Sequence, residues 1–133
     1  PPLRGLAAAL CDLAAEVGPR GGRVVLVYIA EAHAADEWPI NSTRCSGPAN
    51  SVLAHTTLAE RADVAARMAQ TLRLKGVPLL CDGMDDAFLR SYAAWPIRLY
   101  GVAQGRVELV AEPRHARFEL APFRDWLLGS GAP

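Results

Sequence analysis

The chain has 133 residues, of which 51% are hydrophobic and 21% charged, and its 14 basic and 14 acidic residues leave no formal net charge. This composition predicts one globular domain over residues 1–133, and the balanced charge argues against a nucleic-acid partner. No apolar run approaches the roughly 20 residues that cross a bilayer, and the first residues lack the pattern of a signal peptide.

The first part of the chain predicts a helix followed by a buried strand. Residues 3–17 place leucine and valine at intervals of three and four, which makes one helical face, and Gly18-Pro19 ends the helix. The continuous β-branched run at 24–29 predicts a central strand covered on both faces. Residues 33–55 then form an irregular loop, of a length that usually has a function.

The second part predicts two helices, a strand and a hairpin. Residues 57–60 read Thr-Leu-Ala-Glu, a capping box that opens a helix to about residue 74. A second buried strand is predicted at 77–81, and a short helix at about 85–94 ends at Trp95-Pro96, where a trans peptide is the default. Strands at 97–102 and 106–110 form a hairpin, and Pro122 begins the last helix.

This order of elements is that of an α/β protein. With one or more strands placed before it, the order becomes thioredoxin-like: a central mixed sheet flanked by helices, here with the N-terminal strand or strands missing. In that fold a helix follows the redox residue, and the helix N-terminus favours an anionic thiolate or selenolate. Because the first helix begins at Pro1-Pro2, a nucleophile is expected just before Pro1.

Four side chains follow the first strand closely: Glu31, His33, Asp36 and Trp38. The ends of strands are where α/β proteins gather their chemistry. His33 can give or accept a proton near neutrality, and Glu31 and Asp36 could orient it. Trp38 could form an aromatic wall for a ligand. Packing of the loop is the alternative role of both His33 and Trp38.

The cysteines and histidines give no metal pattern. Cys11, Cys45 and Cys81 are scattered, without Cys-x-x-Cys or zinc-finger spacing, which favours reduced thiols. His33 and His55 lack the helical spacing of a zinc pair. We expect neither a metal nor a bound cofactor.

The loop string Glu-Ala-His-x-x-Asp-x-Trp at 31–38 resembles the corresponding loop of the iodothyronine deiodinases. Further stretches resemble that family in the same order along most of the chain. They are His55 to Arg61, Asp82 to Asp85, Tyr92 to Tyr100 and Phe123 to Leu127. Each match is short, and their number and order make the resemblance specific.

The resemblance implies reductive deiodination of iodothyronines by a selenoenzyme. The family has its selenocysteine directly before a Pro-Pro pair, so this chain resembles a catalytic domain that starts one residue after its nucleophile. As written it is expected to be inactive. The resemblance also implies a thiol reductant as co-substrate, a homodimer and, in animal members, a membrane anchor upstream; the compartment of this chain is not predicted.

The resemblance also suggests roles for single residues. His33 contacts the phenolic end of the hormone or handles protons, and His55 matches a histidine of the family's proton network. Glu31 is a third candidate catalytic residue, which could orient His33. Asp36 and Trp38 are expected to bind substrate together with His33. Position 55 could equally be a residue that only precedes a helix cap.

Two positions depart from the family pattern. Ile97 stands where the family has a glutamate of its proton network, and an alkyl group cannot replace a carboxylate. The family's arginine for the hormone carboxylate falls in a poorly matching segment, where Arg114 could substitute from a neighbouring position. Substrate choice is therefore open.

Two other functions remain possible from the sequence. One is a thioredoxin-like or peroxiredoxin-like thiol reductase with cysteine as its nucleophile. The other is a non-catalytic binding or dimerisation module that kept the fold, which the replacement at Ile97 favours. Binding of iodothyronine separates the deiodinase from the non-catalytic module.

Overall fold

The structure is a computed structural model that describes residues 2–39, 52–111 and 119–129, with side chains from residue 5 onward. Its elements in chain order are α1 Pro2–Val17, β1 Leu26–Tyr28, α2 Leu58–Leu72, β2 Leu79–Cys81, α3 Ala87–Tyr92, β3 Leu99–Ala103, β4 Arg106–Ala111 and α4 Ala121–Gly129. The predicted α/β class is confirmed. Within the described residues the strands form two two-stranded sheets.

Contacts divide the chain into two compact units. The first contains Val27–Thr71 and Leu79–Pro96, and the second contains Pro2–Leu26, Leu72–Pro78 and Ile97–Pro133. All the contacts of the candidate site described below lie within the first unit.

Strands β1 and β2 form a parallel pair. The amide of Leu26 donates to the carbonyl of Pro78 at 2.9 Å, and the amide of Asp82 donates to the carbonyl of Tyr28 at 2.8 Å. The partners thus advance in the same direction along both strands, as in a parallel ladder. The central position predicted for β1 is not seen within the described ranges, where it pairs with β2 and its side chains are half-buried.

In the second unit, α1 buries the face that its sequence predicts. Leu10, Leu13 and Val17 are at most 6% exposed, and their spacing places them on one side of the helix. The chain then turns closely against the helix end, where a Cβ on Gly22 would lie 2.8 Å from the Cβ of Val17. Glycine is required at that position because nothing larger fits.

Strands β3 and β4 form the predicted hairpin beside α4. They are antiparallel, with Leu99 opposite Ala111 and Ala103 opposite Arg106. Gln104 and Gly105 make the turn with positive φ of 50° and 73°, the conformation of a tight two-residue hairpin. A Cβ on Gly101 would lie 3.0 Å from the indole ring of Trp126, so a small residue is needed under that ring.

Helix α2 begins with the predicted capping box. The hydroxyl of Thr57 accepts from the amide of Glu60 at 3.2 Å, and Glu60 Oε2 accepts from the amides of Thr56 and Thr57 at 2.8 and 3.2 Å. These bonds satisfy amides that a helix end leaves without partners. They lower the pKa of Glu60, the bond from the Thr56 amide having the largest effect. The cap fixes the start of the helix at Leu58, three residues after His55.

We expect Thr57→Ala to lower the free energy of unfolding by about 1 kcal/mol, since the cap loses its hydroxyl acceptor. Urea unfolding followed by circular dichroism measures this. Thr57→Ser keeps the hydroxyl and is expected to stay close to the unchanged protein. Equal stability of the alanine and serine variants would show that the cap contributes nothing.

Helix α3 is shorter than the predicted 85–94. It is bounded by Asp86 and Ala93, which adopt left-handed conformations with φ of 51° and 50°. Such residues interrupt helical geometry, which accounts for the difference. The Trp95–Pro96 peptide is cis, against the default expectation of trans.

Candidate active site

A cavity of about 260 Å³ lies in the first unit, at the carboxyl end of β1. It combines three acidic side chains, an imidazole, a guanidinium and a thioether. Its lining residues are Ala30, Glu31, Glu37, Ala54, His55, Arg61, Met84 and Asp86. Four segments of the chain therefore meet there: the loop after β1, the segment before α2, the first turn of α2 and the turn before α3.

Glu31 is held by the tyrosine that ends β1. The hydroxyl of Tyr28 donates to Glu31 Oε2 at 2.7 Å. Burial and this bond raise the pKa of Tyr28 well above its ordinary value, burial having the larger effect. Tyr28 therefore keeps its proton at all physiological pH values and presents Glu31 with a fixed donor.

His55 lies next to this pair. Its imidazole is 5.8 Å from the ring of Tyr28, at an interplanar angle of 59°. Both of its ring nitrogens are buried and have no hydrogen-bond partner among the described residues. Burial lowers the pKa of His55, and the positive charge of Arg61 lowers it further. A neutral imidazole with two unused nitrogens can accept a proton on one side and donate on the other.

Arg61 joins α2 to the turn that precedes α3. Its Nη1 donates to the carbonyl of Gly83 at 2.6 Å and to that of Asp82 at 3.3 Å, and it pairs with Asp86 Oδ1 at 2.9 Å. Asp82 in turn caps α3, because its carboxylate accepts from the amides of Phe88 and Leu89 at 3.0 and 2.9 Å. This network holds one wall of the cavity in place.

His33 contacts the neighbouring tryptophan and does not line this cavity. Its Nδ1 lies 3.2 Å from the carbonyl oxygen of Trp38, and the two rings are 5.1 Å apart. The Trp38 side chain is 65% exposed. His33 and Trp38 thus form an aromatic pair at the surface of the loop, where a large part of the indole is free to meet a ligand.

Asp36 ties the start of the long loop to its end. Its Oδ1 accepts from the amide of Ala54 at 2.8 Å, and the amide of Ala35 donates to the carbonyl of Val52 at 2.8 Å. These two bonds place His55 beside the end of β1 although the loop between them is long. The carboxylate of Asp36 is engaged in closing the loop, in addition to its expected role toward substrate.

The structure brings together two of the predicted catalytic residues, Glu31 and His55. Glu31 bonds to Tyr28 and Asp36 bonds to the loop backbone, so neither carboxylate is seen orienting His33. The predicted substrate residue Arg114 and the nucleophile position beside Pro1 lie outside the described residues. So does Cys45.

Tyr28, Arg61 and Asp86 are site residues that sequence reasoning missed. Tyr28 precedes Glu31 by three residues at the end of the strand, which is a usable signal. Arg61 is the last residue of the stretch 55–61, which resembles the deiodinase family as a whole. Asp86 had no signal of its own, since only the fold brings it to Arg61.

The two cysteines among the described residues are free thiols and do not line the cavity. Burial raises the pKa of Cys81, which makes this thiol a poor nucleophile near neutrality. In the described ranges no helix has both the length and the apolar character to cross a membrane.

Comparisons with known proteins agree with the sequence resemblance. The family profile described as iodothyronine deiodinase matches residues 20–129. Type I iodothyronine deiodinase of Xenopus laevis is 31% identical over 83 residues, which is 62% of this chain and 30% of that protein. Thyroxine 5-deiodinase of Gallus gallus is 32% identical over 105 residues, which is 77% of this chain and 37% of that protein. The chain thus spans about a third of the length of these relatives.

Proposed function

Because the chain belongs to the iodothyronine deiodinase family, we propose that it carries the proton-handling part of a reductive deiodinase that acts on iodothyronines. The observation that carries this proposal is the meeting of Glu31 and His55 at one cavity, with Tyr28 bonded to Glu31 and packed against the imidazole. A deiodinase must deliver a proton to the ring carbon that loses iodine. An imidazole with two buried, unused nitrogens beside a hydrogen-bonded carboxylate is suited to that task.

The reaction needs a soft nucleophile and two thiols besides these groups. A selenolate or thiolate attacks the iodine atom, the carbon–iodine bond breaks, and the ring carbon takes a proton. Reductant thiols then release iodide from the nucleophile. The overall change is one aryl iodide and two thiols giving one arene, one disulfide, iodide and a proton. The nucleophile is not among the residues that line the cavity.

In this proposal His55 passes the proton to the ring carbon. Burial and, after it, the positive charge of Arg61 favour the neutral form of His55, so the imidazole can take a proton and hand it on. The carboxylate of Glu31, held by the hydroxyl of Tyr28, balances the charge that appears on the imidazole. His33 and Trp38 bind the aromatic rings of the hormone, and Asp36 keeps their loop closed. Arg114 is retained as the proposed contact for the hormone carboxylate.

The remaining expectations are part of the same proposal. The fold is thioredoxin-like, and residues 1–133 act as one domain. The protein works as a homodimer, holds no metal or bound cofactor, and consumes a thiol co-substrate. The α/β element order and the parallel β1–β2 pair support the thioredoxin-like assignment.

Iodide release from thyroxine tests the proposal, measured in the full-length gene product with a dithiol reductant. We expect release above the rate without enzyme, and a rise in KM of about tenfold in Trp38→Ala, which loses one aromatic wall. Thr71→Ala is the matched control, because Thr71 is exposed and, among the described residues, its hydroxyl bonds only to the backbone of its own helix. Its kinetics should be unchanged.

Other outcomes point to the two alternative functions. Reduction of disulfides or peroxides without iodide release would indicate a thiol reductase. No turnover, with thyroxine binding undetectable both in the unchanged chain and in His33→Ala, would leave a non-catalytic module. Either result overturns the proposal.

A further inference from the structure

Arg61 is a charged residue in the interior of the first unit. Arg61 is only 3% exposed. Among the described residues, its side chain makes three hydrogen bonds, all from Nη1, to Asp82, Gly83 and Asp86. Its Nε is buried without a partner among the described residues. Burying a guanidinium costs free energy unless it is paired. Even a buried ion pair often adds little to stability, so stability alone is a weak explanation for this arginine.

The same side chain lines the cavity that holds His55. Both side chains line this one cavity, and neither imidazole nitrogen bonds to the guanidinium. Arg61 therefore acts on His55 through its charge and through the wall it holds. The ion pair with Asp86, another cavity residue, fixes the position of that charge.

Charges of both signs surround the imidazole. On α2, Arg61 and Arg67 lower the pKa of His55 and Glu60 raises it, and in the loop after β1 Glu31 raises it. Tyr28 on β1 is neutral and packs against the ring. Asp86 and Glu37 complete the charged lining. After burial, Arg61 has the largest effect of these groups.

We infer that Arg61 is a positioning residue for His55: its fixed positive charge selects the neutral imidazole, and its bonds to residues 82–86 hold in place the turn that forms another wall of the same cavity. The inference rests on the proposed role of His55 in proton transfer. A neutral imidazole is the form that can accept a proton and pass it on. The buried charge of Arg61 thus serves the reaction as well as the fold.

A titration of the His55 imidazole by NMR tests the inference in the chain itself. Arg61→Gln removes the charge and keeps an amide donor for the turn; we expect the pKa of His55 to rise by about one unit. Arg61→Lys keeps the charge and loses the planar fork, so the pKa should stay near its unchanged value while the melting temperature falls. Arg67→Gln, which removes an arginine of smaller effect from the same helix, should give a smaller rise.

A folded Arg61→Gln variant with an unchanged pKa of His55, or an equal rise in Arg67→Gln, would overturn the inference. Should Arg61→Gln fail to fold, Asp86→Asn decides instead. That variant removes the counter-charge of Arg61, so the pKa of His55 should fall, and an unchanged or higher value contradicts the inference.

The titration requires no deiodination, so its failure is separate from that of the proposed function. If the pKa rises in Arg61→Gln, the full-length variant should release iodide more slowly at neutral pH, with Arg61→Lys restoring the rate. A shifted pKa with unchanged iodide release would instead overturn the role of His55 in proton transfer.

Discussion

In the full-length gene product, His55→Gln is expected to lower kcat for iodide release by about 100-fold or more, the usual contribution of a general acid or base. Glutamine fills similar space and keeps a donor and an acceptor, but it cannot carry a proton from one group to another. KM should change little, because His55 is proposed to act on the reacting carbon. Steady-state iodide release at saturating thiol measures both constants.

His33→Gln is the matched control for this result. His33 contacts Trp38 and does not line the cavity, so its loss should raise KM more than it lowers kcat. The reverse pattern, in which His33→Gln removes kcat and His55→Gln only raises KM, would exchange the two roles. If both variants have equally small effects on kcat and KM, neither histidine transfers the proton.

Asp82→Ala is expected to lower the free energy of unfolding by about 3 kcal/mol, since two hydrogen bonds to a buried carboxylate are lost. Asp82 is 5% exposed, and its two oxygens accept from the amides of Phe88 and Leu89. Without it the first amides of α3 have no partner, and the turn that Arg61 binds loses its anchor. Urea unfolding measures the change.

Two variants test that explanation. Asp82→Asn keeps one carbonyl acceptor and should cost roughly half as much. Asp63→Ala replaces an exposed acid on α2 and should change stability by less than about 0.5 kcal/mol. If Asp82→Ala is no more destabilising than Asp63→Ala, the carboxylate does not cap α3.

The helices were largely predictable because their signals are local. The apolar spacing in α1 and the capping box of α2 each act over three or four residues, and the structure confirms both. The extent of α3 was not predictable in the same way. Left-handed conformations at Asp86 and Ala93 limit the helix at its two ends, and the sequence pattern did not indicate them. The run at 24–29 indicated burial, but the number of strands beside it depends on distant chain segments.

The site was predictable only in part, for a similar reason. Glu31 and His55 were found through short motifs, each read at one place in the chain. The bonds from Arg61 run to residues 21 to 25 positions away, and two of them end on backbone carbonyls that no residue type reveals. The sequence suggested that Glu31 orients His33, whereas His33 contacts Trp38. This contact likewise depends on how the loop folds back.

The most direct test of the central claim is to add thyroxine to the isotope-labelled chain and follow its imidazole signals by NMR. If the cavity of Glu31 and His55 receives an iodothyronine ring, the His55 signals shift and show nuclear Overhauser effects to the ring protons of the ligand, and Trp38→Ala weakens this binding. Thyroxine that binds elsewhere on the chain and leaves the signals of His55 unmoved would contradict the account.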